Sequence, residues 1–293
     1  MKCCRMIAFW VVVALTPAVA AAQSPPPEQT PPAAQAPAAP AATPAPDADP
    51  DARVDALQPD FTLVALPTTL RMPRHKLAFR VTHRFGRPLG QGDLGDLISD
   101  FFGFDSGAQI GLELRYGLAR GTQIGVHRTS ERTTEIFGQH NFMSERNGKP
   151  IGLDAFATLE GANNLQIRYQ TALGVVVSRN IGRRIAAYAE PFYLVNTNAA
   201  SDQGANNNTL MVGFGARARL MPSMYAVAEI TPRLTGYDPG VSQISFGIEG
   251  RAGGHQFQIN VSNGSGTTMG QIASGAFNND NWYIGFNLSR KFF

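Results

Sequence analysis

Five histidines, His75, His83, His127, His140 and His255, are the side chains best able to ligate a metal or move protons near neutral pH. They are scattered, with no short ligand spacing and no cysteine partner, so neither a metal site nor a cofactor is expected. His127 and Thr129 fall on the same side of an alternating run. Nucleophilic catalysis needs a hydroxyl, a neighbouring base and a third group that orients the base, and no orienting Asn is identifiable. The pair reads as a hydrogen-bonded contact inside the fold, and no catalytic residue is expected. Gly213-Phe-Gly-Ala-Arg-Ala218 has the glycine spacing of a dinucleotide-binding loop. That chemistry requires a strand-to-helix turn that aims amides at a pyrophosphate, whereas these glycines lie within a strand pattern.

The remaining chemical capacity is charge. Arg80, Arg84, Arg115, Arg168, Arg217, Arg219, Arg233 and Arg251 share one parity of their alternating segments with Glu113, Asp154, Glu160, Glu190, Glu229 and Glu249. Opposite charges on adjacent strands can pair across a ladder, and their mixed sign argues against strong ion selectivity.

Strands must position these groups, because the dominant period from Leu77 onward is two. In residues 106–118, Ala108, Ile110, Leu112, Leu114 and Tyr116 oppose Gln109, Gly111, Glu113 and Arg115. The same alternation recurs in about twelve segments of roughly nine to eleven residues, with weaker patterning over 134–143, 184–195 and 225–234. Tight turns fall at 117–121, 180–183, 221–223 and 251–254, and longer polar loops at 87–105, 197–208, 235–242 and 263–280. Within the first long loop, Leu94, Leu97, Ile98, Phe101 and Phe102 stand at helical spacing, which predicts a short helix in the barrel mouth or on the outer surface, or else an apolar loop.

A soluble β-sandwich or lipocalin-like barrel would show the same period. Three features favour a membrane barrel: charges and glycines on one parity, strands long enough for a tilted crossing, and Tyr116, Tyr169, Tyr193, Trp282 and Phe286 near strand ends on the apolar parity. The expected fold is all-β, a transmembrane antiparallel up-and-down barrel of about twelve strands whose last strand ends in Phe293.

The N-terminus has a cationic head, an apolar run from Ile7 to Ala22 and small residues before Gln23, the parts of a secretory signal over residues 1–22. Pro17 interrupts that run, which is shorter than the roughly 20 apolar residues of a spanning helix. Cys3 and Cys4 would leave with it, excluding a disulfide-stapled scaffold. Removing Lys2 and Arg5 lowers the net charge of +3 by two, so no nucleic-acid partner is expected. Residues 23–58, rich in Pro and Ala, predict a disordered periplasmic linker. Residues 59–293 form the barrel unit, with 59–75 a lead-in or a plug.

The runs Leu66-Pro-Thr-Thr-Leu-Arg-Met-Pro73 and Lys76-Leu-Ala-Phe-Arg-Val-Thr-His-Arg-Phe-Gly86 resemble those of a family of bacterial outer-membrane barrels classed as a domain of unknown function, over about residues 59–293. The resemblance implies the architecture and no activity. The end of the chain, with Gly285, Leu288 and Phe293, resembles the assembly signal of outer-membrane proteins, which implies the barrel assembly machinery and outer-membrane lipid as partners. Arg290 departs from that pattern. Three functions are compatible: a narrow channel for small solutes; a structural barrel with a salt-bridged lumen whose linker holds a periplasmic partner or the cell wall; and a lipid-directed enzyme, since His127 and Thr129 resemble the His-x-Ser of outer-membrane phospholipase.

Overall fold

The computed structural model describes residues 49–101, 103, 107–198, 207–236 and 240–293. The expected signal segment, residues 1–22, and most of the expected linker lie outside the described residues. Thirteen strands follow in order: β1 Leu77–Phe85, β2 Ala108–Ala119, β3 Thr122–Thr129, β4 Thr134–Met143, β5 Gly152–Gly161, β6 Ile167–Ile181, β7 Ile185–Val195, β8 Thr209–Met221, β9 Met224–Thr231, β10 Arg233–Thr235, β11 Gln243–Ala252, β12 His255–Ser262 and β13 Tyr283–Lys291. Each main strand pairs antiparallel with its neighbours, β1 meets β13, and a β8–β9 pairing closes the sheet. β10 continues β9 past Pro232, which has no N–H for the ladder, and pairs with β8. The result is a twelve-stranded antiparallel barrel plus one short strand.

Orientation follows from the alternation. Leu112, Leu173 and Ile259 are 49%, 64% and 70% exposed on the outer surface, while Arg80, Glu113, Arg217 and Glu249 are buried inside. A contiguous apolar exterior over a charged interior is stable only in hydrocarbon, which removes the soluble-sandwich alternative. No described helix is long and apolar enough to cross a membrane. Chain reversals at 120–121, 182–184, 222–223 and 253–254 lie at the end holding both strand termini, here the turn end. The connection 144–151 at the same end is longer, and those at 130–133 and 162–166 at the opposite, loop end are short.

Twelve strands enclose more space than side chains alone fill. Two inserts occupy it. From the turn end, Phe61 to Thr68 make a hairpin closed by Leu63 N–H to Leu66 O at 2.8 Å and Thr68 N–H to Phe61 O at 2.8 Å, and Leu63, Val64 and Leu66 are fully buried. From the loop end, the helix Met269–Ser274 buries Met269, Ile272 and Ala273. Both inserts share one apolar cluster with Phe137, Phe156, Val176, Phe192, Leu194 and Met211 of β4–β8.

One expectation is corrected here and one alternative is resolved. The inward parity is not polar throughout: on β4–β8 Phe137, Phe156, Val176, Tyr188, Phe192, Leu194 and Met211 face in among polar neighbours such as Glu135, Asp154 and Glu190, whereas the wall from β11 through β13 and β1 to β3 is polar. The helix of the first long loop, Leu94–Ser99, has no buried residue and does not fill the lumen; the helix of the last loop does.

Candidate functional site: the plugged lumen

The hairpin is held through its main chain. The Glu229 carboxylate on β9 accepts the N–H groups of Val64, Ala65 and Leu66 at 3.0–3.1 Å. Three successive amides aimed at one anion form a nest, and each would otherwise be a buried unpaired donor. Carbonyls are met by wall donors: Arg217 to Thr62 at 2.6 Å, Gln258 to Leu63 at 2.9 Å, Asn287 to Val64 at 2.8 Å, Gln139 to Thr68 at 2.7 Å and Gln123 to Leu70 at 3.2 Å.

These donors are themselves anchored in the wall. Arg217 and Glu249 form a bidentate pair at 2.8 and 3.0 Å, and Gln256 and Gln258 donate to the same carboxylate. Asn287 donates to Gln258, and Gln123 donates to Gln139, which donates to Asp154. Glu113 is bracketed by Arg80 and Arg115, with Arg80 also donating to Thr62 Oγ1 at 2.8 Å. The Arg115 guanidinium lies over the rings of Phe61 and Phe137, at 5.0 and 4.5 Å from their centroids.

The base of the hairpin is clamped at the turn end. Asp60 accepts from Lys291 Nζ at 3.1 Å and Ser289 Oγ at 2.5 Å. Burial penalises the Asp60 carboxylate, yet Lys291, the Ser289 hydroxyl and Arg217 outweigh that penalty and hold its pKa below the ordinary Asp value. Asp51 also pairs with Arg71, and Asp55 with Arg146 of the connection between β4 and β5.

Glycine makes room for the hairpin on β8. A Cβ on Gly213 would stand 2.8 Å from Leu66 Cδ1, and one on Gly215 would stand 2.2 Å from Leu63 Cδ1. The Gly-x-Gly-x-Arg run over 213–217 therefore has a structural meaning: two glycines receive two leucines, and Arg217 holds the carbonyl before them.

At the loop end, Glu135 and Glu160 stand directly opposite one another on β4 and β5. They accept Met269 N–H at 2.6 Å and Gly270 N–H at 2.9 Å, so the first two N–H groups of the helix each meet a carboxyl oxygen. Thr268 and Gln271 complete a capping box there.

Of the charged residues expected inside, Arg80, Arg84, Glu113, Arg115, Asp154, Glu160, Glu190, Arg217, Glu229 and Glu249 are buried on the inner wall. Neither carboxylate oxygen of Glu190 has a hydrogen-bond partner among the described residues, and Arg84 uses only Nη1, on His83 O and Asn287 Oδ1. Arg219 and Arg251 are half-buried near turns, and Arg233 reaches Ser274 O at the loop end. Arg168 is exposed, with φ at 53°, because β6 runs beyond the buried wall there. His127 and Thr129 both face inward but are not bonded to each other, contrary to expectation: alternate residues of a strand stand roughly 7 Å apart. Gly285 packs too closely on His83 O for a Cβ, Leu288 sits on the outer parity between Val81 and Phe257, and Phe293 packs on the cluster of Phe61, Leu70, Met72 and Ala78. Arg290 reaches the His255 ring. The charged Asp60, Glu135 and Lys291 are missing from the expected set, as are the neutral donors Gln123, Gln139, Gln258 and Asn287. Those on strands share the parity of the set, which is the signal that could have found them.

The family model described as a membrane bound beta barrel domain, DUF5777, matches residues 60–292. No curated protein matches the chain. Among solved structures it is similar to the KdgM porin in complex with disordered oligogalacturonate, at 8% identity and TM-score 0.48, covering 74% of this chain and 99% of that one. It is also similar to the COG4313 outer membrane channel from Pseudomonas putida F1, at 11% identity and TM-score 0.49, covering 75% and 97%. Outer membrane phospholipase A from Escherichia coli aligns at 12% identity and TM-score 0.41, covering 74% and 90%.

Proposed function

The chain belongs to the DUF5777 family of membrane-bound β-barrels, and from that premise we propose that it is an outer-membrane channel for small solutes held shut by its own N-terminal hairpin. One observation carries this reading. On β11–β13 the inner wall is an unbroken polar track, through Gln243, Ser245, Gly247 and Glu249, Gln256, Gln258, Asn260 and Ser262, and Asn287, Ser289 and Lys291. Withdrawal of the hairpin would open that track to water past the helix Met269–Ser274, which stays seated on Glu135 and Glu160 of β4 and β5. A barrel that needed only a filled centre would gain more from apolar side chains than from buried charges.

Planar-bilayer recording tests the reading. The full chain is expected to be mostly closed, and a variant lacking residues 49–73 to conduct steadily. Silence of that variant at every voltage, with the folded barrel verified by heat-modifiable mobility, would overturn it. The filled lumen also fits a structural barrel whose linker holds a periplasmic partner or the cell wall. In that case deleting residues 23–49 abolishes a pull-down while conductance stays absent throughout. A lipid-directed enzyme ranks last, because His127 and Thr129 face the lumen and not the lipid.

A further inference from the structure

From the way the wall holds the hairpin, we infer that the lumen is a binding site for peptide main chain, and that the solute it admits is a short apolar oligopeptide for which the hairpin is a tethered stand-in. The inference rests on the channel reading and names its substrate class.

Recognition runs through atoms that every peptide has. Glu229 accepts three successive N–H groups, and Arg217, Gln258 and Asn287 donate to the three carbonyls of Thr62, Leu63 and Val64. No wall group among these reads a side chain. The donors are fixed by the wall: Glu249 holds Arg217 and Gln258, and Gln258 in turn holds Asn287. The site therefore keeps its geometry when the hairpin leaves, with an acceptor and donors already spaced for a replacement that offers both N–H and C=O. Elsewhere on the wall, Phe156, Phe192 and Met211 form one apolar cluster with Leu63 and Leu66. A ligand that turns three successive amide N–H groups onto one carboxylate, offers the carbonyls leading into that turn to fixed donors and carries aliphatic groups is a peptide turn. A hydroxyl-rich saccharide would satisfy the polar groups alone.

The test displaces the hairpin from its own side and leaves the wall intact. In the full chain, Leu63→Asp with Leu66→Asp puts two charges where Gly215 and Gly213 receive leucines; Leu66→Asp alone serves if the double variant does not fold. The probe is a synthetic peptide of residues 60–71, compared with the same peptide N-methylated at Val64, Ala65 and Leu66 and with a neutral oligosaccharide. Binding is read by fluorescence anisotropy in detergent, and block of current in planar bilayers. The unmodified peptide is expected to bind and block, and N-methylation to weaken it at least about tenfold through loss of hydrogen bonds to a charged acceptor. Equal action of the two peptides, or block by the oligosaccharide alone, would overturn the inference. If the variant carries no current, the channel reading fails, and the anisotropy comparison still decides whether the lumen binds peptide.

Discussion

Replacing Glu229 by Gln isolates the contact that most directly seats the hairpin. Three amides lie within 3.0–3.1 Å of this carboxylate, with Ala65 N–H shared between its two oxygens. Gln keeps one acceptor oxygen, loses the charge and turns an NH2 group toward amide donors. A hydrogen bond to a charged group contributes about 1.5–3 kcal/mol, and a buried donor left unpaired costs about 1–3 kcal/mol. Losing one acceptor and the charge at three contacts should thus shift the seated-to-withdrawn equilibrium by about 3–4 kcal/mol, a factor of roughly 10² to 10³. The reporter is Ala65→Cys in a chain with Cys3 and Cys4 changed to Ser, because Ala65 is buried at the hairpin tip and those are the only two cysteines. Reaction with a membrane-impermeant maleimide then follows the withdrawn fraction. The Glu229→Gln background should react faster by that factor, with the barrel's heat resistance unchanged. An acceleration below about tenfold, which is ~1.4 kcal/mol, would refute the claim that this carboxylate seats the hairpin.

Other perturbations test the remaining contacts. Gly215→Val should keep the hairpin from seating, since even a Cβ there meets Leu63, and should raise Ala65→Cys labelling; Gly138→Ala, where a Cβ meets nothing within 4 Å, should leave it unchanged. Glu135→Ala removes the acceptor of Met269 N–H, so hydrogen exchange at that amide should accelerate by about tenfold or more while the strand amides of β4 stay protected. The clamp on Asp60 has a pH signature: its pKa lies below the ordinary Asp value, so its contribution is present above pH ~4 and is lost as the pH falls through that lowered value. Asp60→Asn should therefore speed labelling of Leu70→Cys at pH 7, and its difference from the unmodified chain should vanish in acid.

The strand layout is legible in the sequence wherever one face meets lipid and the other meets polar groups, as at Ile110 to Tyr116 against Gln109 to Arg115. Where the inner face is also apolar the alternation disappears: Phe137 faces in beside outward Ile136, and Phe192 faces in beside outward Tyr193. Those two residues lie in two of the three segments whose patterning is weak, and both pack in the cluster shared with the inserts. The helix at 269–274 is too short to establish a period, though Thr268 with Gln271 three residues on is a capping signature ahead of Met269 and Ile272. Arg168 shows the limit of parity counting, which assigns a direction to a residue but not a depth.

The two-sided wall also accounts for why the hairpin seats in one orientation. A hairpin presents main-chain donors and acceptors that cannot stay unpaired in a closed interior. Its tip finds partners on Glu229, Arg217, Gln258 and Asn287, all at one side of the lumen, while its leucines pass over Gly213 and Gly215 toward the apolar cluster. Rotating the hairpin about its axis would strand three amides against phenylalanines and place leucines against the Arg217–Glu249 pair, losing both sets of contacts together. Polar and apolar parts of one wall thus specify the plug more sharply than either could alone. The same division leaves a polar track open to water once the hairpin is gone.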